Sequence, residues 1–243
     1  MFLESFYSYS VFKKKYSTQQ REPFFAIALK YCRLLKQNEP VIIDIGSGEG
    51  DFFSYLGQNN FPTNNISLLD ANEATVRKNK SGLTAKSIHY TAPDPLPFED
   101  GSVGLIHTSH MIEYLAPAEM YGLMKEMDRV LSDGGYIVIS APLIWDYFYN
   151  DLGHIRPYNP IAFHKYFINL YANSHLDKIS SSYQMKELVY RYCQMPLDEG
   201  WSSSMPAIDF MLITIRRVLS KLGFRRMRKN GYTLVLSKLI YPQ

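Results

Sequence analysis

The 243-residue sequence predicts an α/β fold: a mostly parallel sheet of seven strands that ends in an antiparallel strand, with helices on both faces. Two observations favour this fold. Short apolar runs alternate with helix-like segments up to about residue 141, as in right-handed strand-helix-strand units. Near the end of the chain, Asn230-Gly231 separates two strand-like runs, which predicts a hairpin and therefore an antiparallel pair.

The first strand and the turn after it form the most informative stretch, Val41 to Gly50, which reads VIIDIGSGEG. Apolar residues around one acid predict a short buried strand. The glycines at 46, 48 and 50 predict a tight turn in which the backbone can approach a ligand closely, followed by a helix that begins with unpaired N–H groups. An adenosine-type ligand fits such a turn.

The second strand, Ile66–Leu69, ends in Asp70. Ligands of open α/β sheets lie outside the carboxyl ends of the strands, so this acid is placed to accept hydrogen bonds from ribose hydroxyls. The alternative is a helix N-cap for the segment that begins near Asn72.

The remaining core elements follow in the order that the fold requires. Pro23 suits the first turn of a helix before the first strand, after an irregular arm over residues 1–18. A helix is predicted from Pro117 to Leu131, with a turn at Asp133-Gly134-Gly135. Three further strands are expected at Lys86–Thr91, Val103–Thr108 and Tyr136–Ser140.

Composition and charge limit where the protein can act and which partners it can bind. The cysteines Cys32 and Cys193 have no disulfide or metal spacing, no apolar run approaches the roughly 20 residues of a membrane span, and the first residues do not resemble a signal peptide, so we expect a cytoplasmic protein. The net charge of +3 is uneven, because Phe210 to Gln243 holds eight Lys or Arg and no acid. Such a region can bind a phosphate, an anionic membrane surface or nucleic acid, and the alternative is that it forms ordinary solvated faces of a helix and a hairpin. Of these partners, peripheral membrane contact is retained as a possibility. No nucleic-acid partner is expected, and the oligomeric state is not predicted.

Together these landmarks resemble the class I S-adenosylmethionine-dependent methyltransferases over about residues 40–141 and 206–239. The sequence D-x-G-x-G-x-G begins at Asp44, and Leu96-Pro97-Phe98-Glu99-Asp100 resembles the L-P-F-x-D motif of one branch, the type 11-like methyltransferases. The segment Ser109 to Glu113 resembles the loop after strand four, and MDRVLSDGGYIVIS resembles the helix, turn and strand that follow. The resemblance implies a Rossmann-like fold and S-adenosylmethionine as the cofactor.

The resemblance also implies roles for individual residues. Asp44 would lie near the methionine part of the cofactor, and Asp70 on the ribose. The other implied cofactor contacts are Gly46, Ser47, Gly48 and Gly50 along the adenosyl group, Ala92 and Pro93 beside the adenine, Asp94 as a substitute for the Asp that the family often has at position 92, and Ala71 and Ser109. Tyr114 and Asp133 also depart from the family pattern, which often has His and Pro there.

Four segments are predicted from this reading. They are an N-terminal arm and helix (residues 1–39), a cofactor-binding core (40–141), a substrate-lid insertion (142–205), and the last helix with a C-terminal hairpin (206–243). The last helix has an apolar face formed by Met211, Ile215, Val218 and Leu222, which we expect to pack on the sheet; a membrane-surface helix is the alternative.

Methyl transfer is an in-line displacement in which alignment does most of the work, so no metal is required. A hydroxyl acceptor needs a base, and histidine is best matched to neutral pH. The insertion supplies His154, and the loop after strand four supplies His110 as a rival. His107, inside a strand pattern, is expected in the core.

The acceptor is expected to bind the long, aromatic-rich insertion. Its segment Gly153-His154-Ile155-Arg156-Pro157-Tyr158 resembles a motif of methyltransferases encoded with bacterial surface-polysaccharide genes, which implies a sugar hydroxyl as the acceptor. Predicted acceptor contacts are Glu113, Tyr114, Arg156 and Tyr158. Alternatives are another small molecule, such as a quinone precursor or natural product, and a cofactor-binding partner subunit without catalysis. An NAD-dependent oxidoreductase is disfavoured by the glycine spacing.

Overall fold

The computed structural model describes residues 22–36, 39–168, 175–180, 182–195, 197 and 205–240. The predicted irregular arm at 1–18 lies outside the described residues, as do parts of the predicted insertion. Seven strands form one sheet in the order β3-β2-β1-β4-β5-β7-β6. The elements are α1 (Glu22–Cys32), β1 (Ile42–Ile45), α2 (Asp51–Gln58), β2 (Ile66–Asp70), α3 (Glu73–Gly82), β3 (Lys86–His89), β4 (Val103–Ser109), α4 (Pro117–Val130), β5 (Leu131–Pro142), α5 (Pro160–Phe167), β6 (Tyr183–Met195), α6 (Pro206–Lys221) and β7 (Arg226–Lys238), with short 3₁₀ turns at Ile112–Tyr114 and Phe148–Asn150.

The first five strands are parallel and β7 runs antiparallel to β5. This confirms the predicted fold. β1 is buried along its whole length between β2 and β4, so its side chains meet protein on both faces of the sheet. Parallel sheets with helices on both faces require such continuous apolar runs, as β1 and β2 provide.

The two faces of the sheet bury separate apolar layers. Ile43 and Ile45 of β1 pack with Met127 of α4 on one face. Ile42 packs with Phe52 of α2 and the residues of α1 on the other. The alternation of side chains along β1 therefore decides which helix each residue meets.

The predicted hairpin at Asn230-Gly231 is wrong, because both residues lie inside the continuous strand β7. A type I′ turn needs positive φ at both central residues, and neither has one. Gly231 instead pairs with Pro142, at the start of a register that runs to Ser237 opposite Tyr136. The seventh strand comes from the predicted insertion, which contributes β6.

The boundary of β5 also differs from the prediction. The strand begins at Leu131, directly after α4, so the predicted turn at residues 133–135 is part of it. Gly134 has φ +76°, and the register with β4 shifts between Val103 and Leu105. An irregularity of this kind accommodates the extra residues while pairing continues.

Contacts divide the chain into two compact units, one of residues 21–190 with 231–243 and one of residues 1–20 with 191–230. Helix α6 belongs to the second unit and has no buried residue. The apolar face that we expected to pack on the sheet is exposed at all four of its residues. No helix in the described part of the chain is long and apolar enough to cross a membrane.

Candidate functional site

The glycine loop connects β1 to α2, and each of its three glycines has a positive φ, between 52° and 81°. A Cβ at Gly46 would lie 2.5 Å from Cγ of Met111, and one at Gly50 would lie 2.6 Å from Cδ1 of Leu83. Gly46 is therefore required by close packing as well as by backbone conformation, whereas at Gly50 the nearby atom is a terminal methyl that can shift, so backbone conformation is the main reason for a glycine. Gly48 faces open space instead, so the loop leaves room for a ligand at that residue.

The amides of the loop are mostly bonded within the protein. The N–H groups of Gly46 and Ser47 donate to the carbonyl of Leu69, at 2.8 and 3.0 Å. The side chain of Asn79 on α3 donates to the carbonyl of Gly48 at 2.8 Å. The loop is thus hydrogen-bonded to β2 and α3. Since most of its amides already donate within the protein, a ligand would meet the open surface at Gly48 and few unpaired N–H groups. Sequence reasoning missed Asn79, since nothing in a helical pattern marks one amide side chain as a loop support.

Asp70 at the end of β2 is hydrogen-bonded to the glycine loop at Gly48, the residue that faces open space. Its two carboxylate oxygens accept hydrogen bonds from the N–H groups of Gly48 at 2.8 Å and Asn72 at 2.9 Å. The N-cap of α3 is Asn72, whose side chain accepts from the next turn, so the N-cap alternative for Asp70 is wrong. Each carboxylate oxygen can accept a further bond, which fits the ribose role that the sequence predicts.

Asp44 lies in a buried pair with His107. Its Oδ1 is 2.7 Å from Nδ1 of His107, and both side chains are almost fully buried. The imidazole stacks on Phe52 with ring centroids 3.9 Å apart. His107 is therefore a core residue, as predicted, and the pair joins β1 to β4 directly below the glycine loop. A contact between Asp44 and the methionine part of the cofactor stays a prediction.

The predicted adenine side is a turn after β3. The N–H of Asp94 donates to the carbonyl of Thr91 at 3.0 Å, and the hydroxyl of Tyr90 donates to the carbonyl of Asp94 at 2.9 Å. Pro93 lies close against α4, where a Cβ at Gly122 would meet it at 2.8 Å. The turn that contains Ala92 is thereby held in place from two sides.

The L-P-F-x-D segment is clamped by Arg129 of α4. The guanidinium donates to the carbonyls of Leu96 and Phe98, each at 2.9 Å. It also pairs with Glu126 at 2.6 Å and with Asp100 at 2.7 Å. The hydrogen bond from Arg129, followed by one from the N–H of Leu96 at 2.8 Å, lowers the pKa of Glu126. Sequence reasoning missed this clamp, for which the only signal is the opposite charges three residues apart on α4.

The loop after β4 places His110 and Glu113 together. His110 has φ +55°, and its Nδ1 is 3.2 Å from Oε1 of Glu113. Glu113 is almost fully buried, and its Oε2 has no hydrogen-bond partner among the described residues. Burial, followed by the charge of Glu113, raises the pKa of Tyr232. Because Met111 packs on Gly46, this loop lies directly against the glycine loop.

The segment around His154 docks on the same loop. The N–H groups of Ile155 and Arg156 donate to the carbonyl of Glu113, at 2.9 and 3.3 Å. Nδ1 of His154 is 2.7 Å from the carbonyl of Phe148, and a carbonyl can only accept, so this nitrogen carries the proton. In the neutral imidazole the lone pair is therefore on Nε2, which lies 3.7 Å from Oδ2 of Asp151.

Tyr114 supports the turn that carries His154. Its hydroxyl donates to Asp151 at 3.1 Å, and a Cβ at Gly153 would lie 2.9 Å from its ring. Burial and this bond raise the pKa of Tyr114 to about 12. The N–H of Gly153 and the hydroxyl of Tyr114 lower the pKa of Asp151. The tyrosine that departs from the family pattern thus has a defined structural role.

The six residues predicted for catalysis or acceptor binding all lie at or beside the loop after β4. The guanidinium of Arg156 lies 5.4 Å from the ring centre of Tyr158, and the hydroxyl of Tyr158 donates to the carbonyl of Leu115 at 2.9 Å. Through Arg156 and Glu113 this pair joins the group formed by His110, Tyr114 and His154.

Comparison with known proteins places this site in context. Residues 43–139 match the family described as methyltransferase domain. The chain is 30% identical over 104 residues to a malonyl-[acyl-carrier protein] O-methyltransferase of Marinomonas sp. (strain MWYL1), a match that covers 42% of this chain and 37% of the relative. It is 26% identical over 98 residues to an uncharacterized methyltransferase of Synechocystis sp. (strain ATCC 27184 / PCC 6803 / Kazusa), covering 40% and 45%. The chain thus spans less than half the length of these curated relatives.

Solved structures share the fold over most of the chain. A SAM-dependent methyltransferase from Archaeoglobus fulgidus superposes with a TM-score of 0.60 at 18% identity, covering 90% of this chain and 95% of that one. A geranyl diphosphate C-methyltransferase from Streptomyces coelicolor A3(2), in complex with S-adenosyl-L-homocysteine, gives 0.54 at 14% identity, covering 88% and 77%. The fold is that of the S-adenosylmethionine-dependent methyltransferases.

Proposed function

We infer that this chain, which carries a class I methyltransferase domain over residues 43–139, is an S-adenosylmethionine-dependent methyltransferase, and we propose that it methylates a hydroxyl of a sugar in a glycan or glycolipid. The observation that carries the choice of a hydroxyl is His154, whose proton position is fixed by the carbonyl of Phe148. The choice of a sugar depends on the other side chains of the insertion in which this histidine lies.

The glycine loop and Asp70 fit the adenosyl part of the cofactor. The loop is open at Gly48, and the Asp70 carboxylate beside it has acceptor capacity left for the ribose hydroxyls. S-adenosylmethionine, when bound, supplies a methyl group already activated by its positive sulfur. The protein then has to align the acceptor and receive its proton.

His154 is suited to receive that proton. Its lone pair is on Nε2, and Asp151 lies close enough to that nitrogen to stabilise the imidazolium that proton transfer produces. An alcohol acceptor needs such a base, because its proton is weakly acidic. A carboxylate acceptor is ionised near neutral pH and needs none, so the arrangement favours an alcohol. His110, paired with Glu113, is the rival base.

The surroundings of His154 support a sugar. Tyr114, Tyr147 and Tyr149 are all exposed, and aromatic faces of this kind can stack on the C–H faces of a sugar ring. Arg156 can bind a phosphate or carboxylate on the acceptor through charge-assisted hydrogen bonds. An amphiphilic or phosphorylated glycan precursor has both kinds of group.

The test is methyl transfer from labelled S-adenosylmethionine to a panel of sugars, nucleotide sugars and glycolipids, with quinone precursors and acyl thioesters as comparison acceptors. We expect label in a sugar fraction, as an ether that survives mild alkali. Label in an alkali-labile ester, or only in a comparison acceptor, would reject the sugar hydroxyl. Absence of turnover together with absence of binding heat from S-adenosylhomocysteine would reject the enzyme itself.

A further inference from the structure

Helix α6 presents an exposed apolar stripe. Met211, Ile215, Val218 and Leu222 follow one another at spacings of three and four residues, so they lie on one side of the helix. Their exposed fractions are 55%, 48%, 53% and 69%. Scattered exposed hydrophobic residues need no explanation, but a continuous row along about three turns of a helix marks an interaction surface.

The half-buried residues of α6 lie on a different side of the helix from the stripe. Leu212, Ile213, Arg216 and Leu219 are half-buried, and at 100° per residue they centre on a direction well away from the stripe. The helix therefore already has a packed side, and the stripe is additional apolar surface. The stripe is therefore exposed although another side of the same helix is packed.

Basic side chains border the stripe. Arg217 and Lys221 are exposed on one flank, and Arg225 follows the helix, where its guanidinium donates to the carbonyl of Ser220 at 2.7 Å. No Asp or Glu occurs between Phe210 and Gln243. Asp209 in the first turn of α6 is an acid of this helix, and at 100° per residue it lies on the side away from the stripe. An apolar row flanked by cations is complementary to a surface that is apolar inside and negative outside.

We propose that this stripe and its basic border form a surface that binds an anionic lipid bilayer, with α6 lying in the plane of the headgroups. Interfacial helices combine these two features, since apolar burial and attraction to anionic lipids add. A second copy of the chain fits less well, because a two-fold contact through the stripe would bring like charges together. The proposal is independent of the methyl acceptor.

The test is flotation of the full chain with vesicles of phosphatidylcholine and phosphatidylglycerol in equal amounts, against vesicles of phosphatidylcholine alone. We expect binding to the mixed vesicles that weakens as salt rises. The double variant Arg217→Gln, Lys221→Gln should lose about 30-fold in partitioning, at roughly fivefold per charge. The double variant Met211→Ser, Val218→Ser should lose about tenfold or more.

Matched controls remove equivalent groups elsewhere. Lys80→Gln with Lys86→Gln makes the same charge change at two other exposed positions, and Leu34→Ser removes another exposed apolar side chain. These variants should partition like the wild type. The proposal is overturned if the wild type does not bind mixed vesicles or if controls and test variants weaken binding equally. It is also overturned if sedimentation shows a dimer, without vesicle binding, that the stripe variants dissociate.

Discussion

The glycine loop and the His154 segment both rest on the loop after β4, but different kinds of contact hold them there. The glycine loop touches Met111 through a glycine that tolerates no Cβ, and its amides bond to the end of β2. The His154 segment is attached by two hydrogen bonds to the carbonyl of Glu113 and by side chains around Tyr114. The predicted cofactor side is thus formed by loops at the ends of the sheet strands, and the predicted acceptor side is attached to one of these loops.

This difference predicts that the two sides respond separately to mutation. Changes on the acceptor side should affect turnover and leave cofactor affinity intact. Changes at the glycine loop or Asp70 should affect cofactor affinity first. A variant on the acceptor side that changes cofactor affinity would show that the two sides are coupled through the loop after β4.

The largest effect is expected for His154→Ala. Loss of the base should reduce kcat by about 10²- to 10⁴-fold, while the dissociation constant for S-adenosylhomocysteine, measured by isothermal titration, changes little. His164→Ala, which removes another histidine of the insertion, is the matched control and should retain activity. Full activity of the His154 variant would reject it as the base, and loss of activity in His110→Ala alone would assign the base to His110.

Asp70→Ala should come next. The substitution removes the carboxylate that accepts from Gly48 and Asn72 and the predicted bonds to the ribose. Cofactor affinity should fall by roughly 1–3 kcal/mol, measured by the same titration, and Asp70→Asn should lie between it and the wild type. An unchanged dissociation constant would refute the ribose assignment.

Gly48→Ala sharpens the comparison further, because the chain offers a matched control in Gly101→Ala. Both glycines have positive φ, 52° and 64°, and both face open space. Each substitution should therefore cost about 1–2 kcal/mol of folding stability, seen in urea unfolding. Only Gly48→Ala should also weaken cofactor binding, by roughly tenfold or 1.4 kcal/mol. Equal cofactor affinity in the two variants would place the ligand elsewhere.

The smallest effect is expected for Glu126→Gln, which breaks the charged part of the Arg129 clamp outside both sides of the site. It should lower the free energy of unfolding by about 1 kcal/mol and leave kcat unchanged. The folded pKa of Glu126 is lowered below its ordinary value of 4.5, so the stabilisation is present above that value and is lost as pH falls through the folded pKa. The difference in Tm between variant and wild type should therefore shrink as the pH falls below 4.5. A difference independent of pH would reject the ion pair as its cause.

Sequence patterns predicted β1, the glycine turn and β2 well because their determinants are local. β1, the glycine turn, β2 and Asp70 follow one another along the chain, and each has a short-range signal. The Asn230-Gly231 prediction failed because long-range pairing with β5 overrode a local turn preference. The prediction that the apolar face of α6 is buried was wrong, because periodicity identifies an apolar side of a helix but not what covers that side. The bond from His154 to Phe148 depends on the path of an irregular segment, for which the sequence carries no pattern.

The anchor of the His154 segment is a main-chain carbonyl, and this has a consequence for how such proteins diverge. No side-chain replacement at position 113 can delete an oxygen that every amino acid carries. Residues 154, 156 and 158 can therefore be exchanged for those of another protein while the attachment survives. A chimaera that changes acceptor preference without rebuilding its support is, on this account, a realistic engineering target.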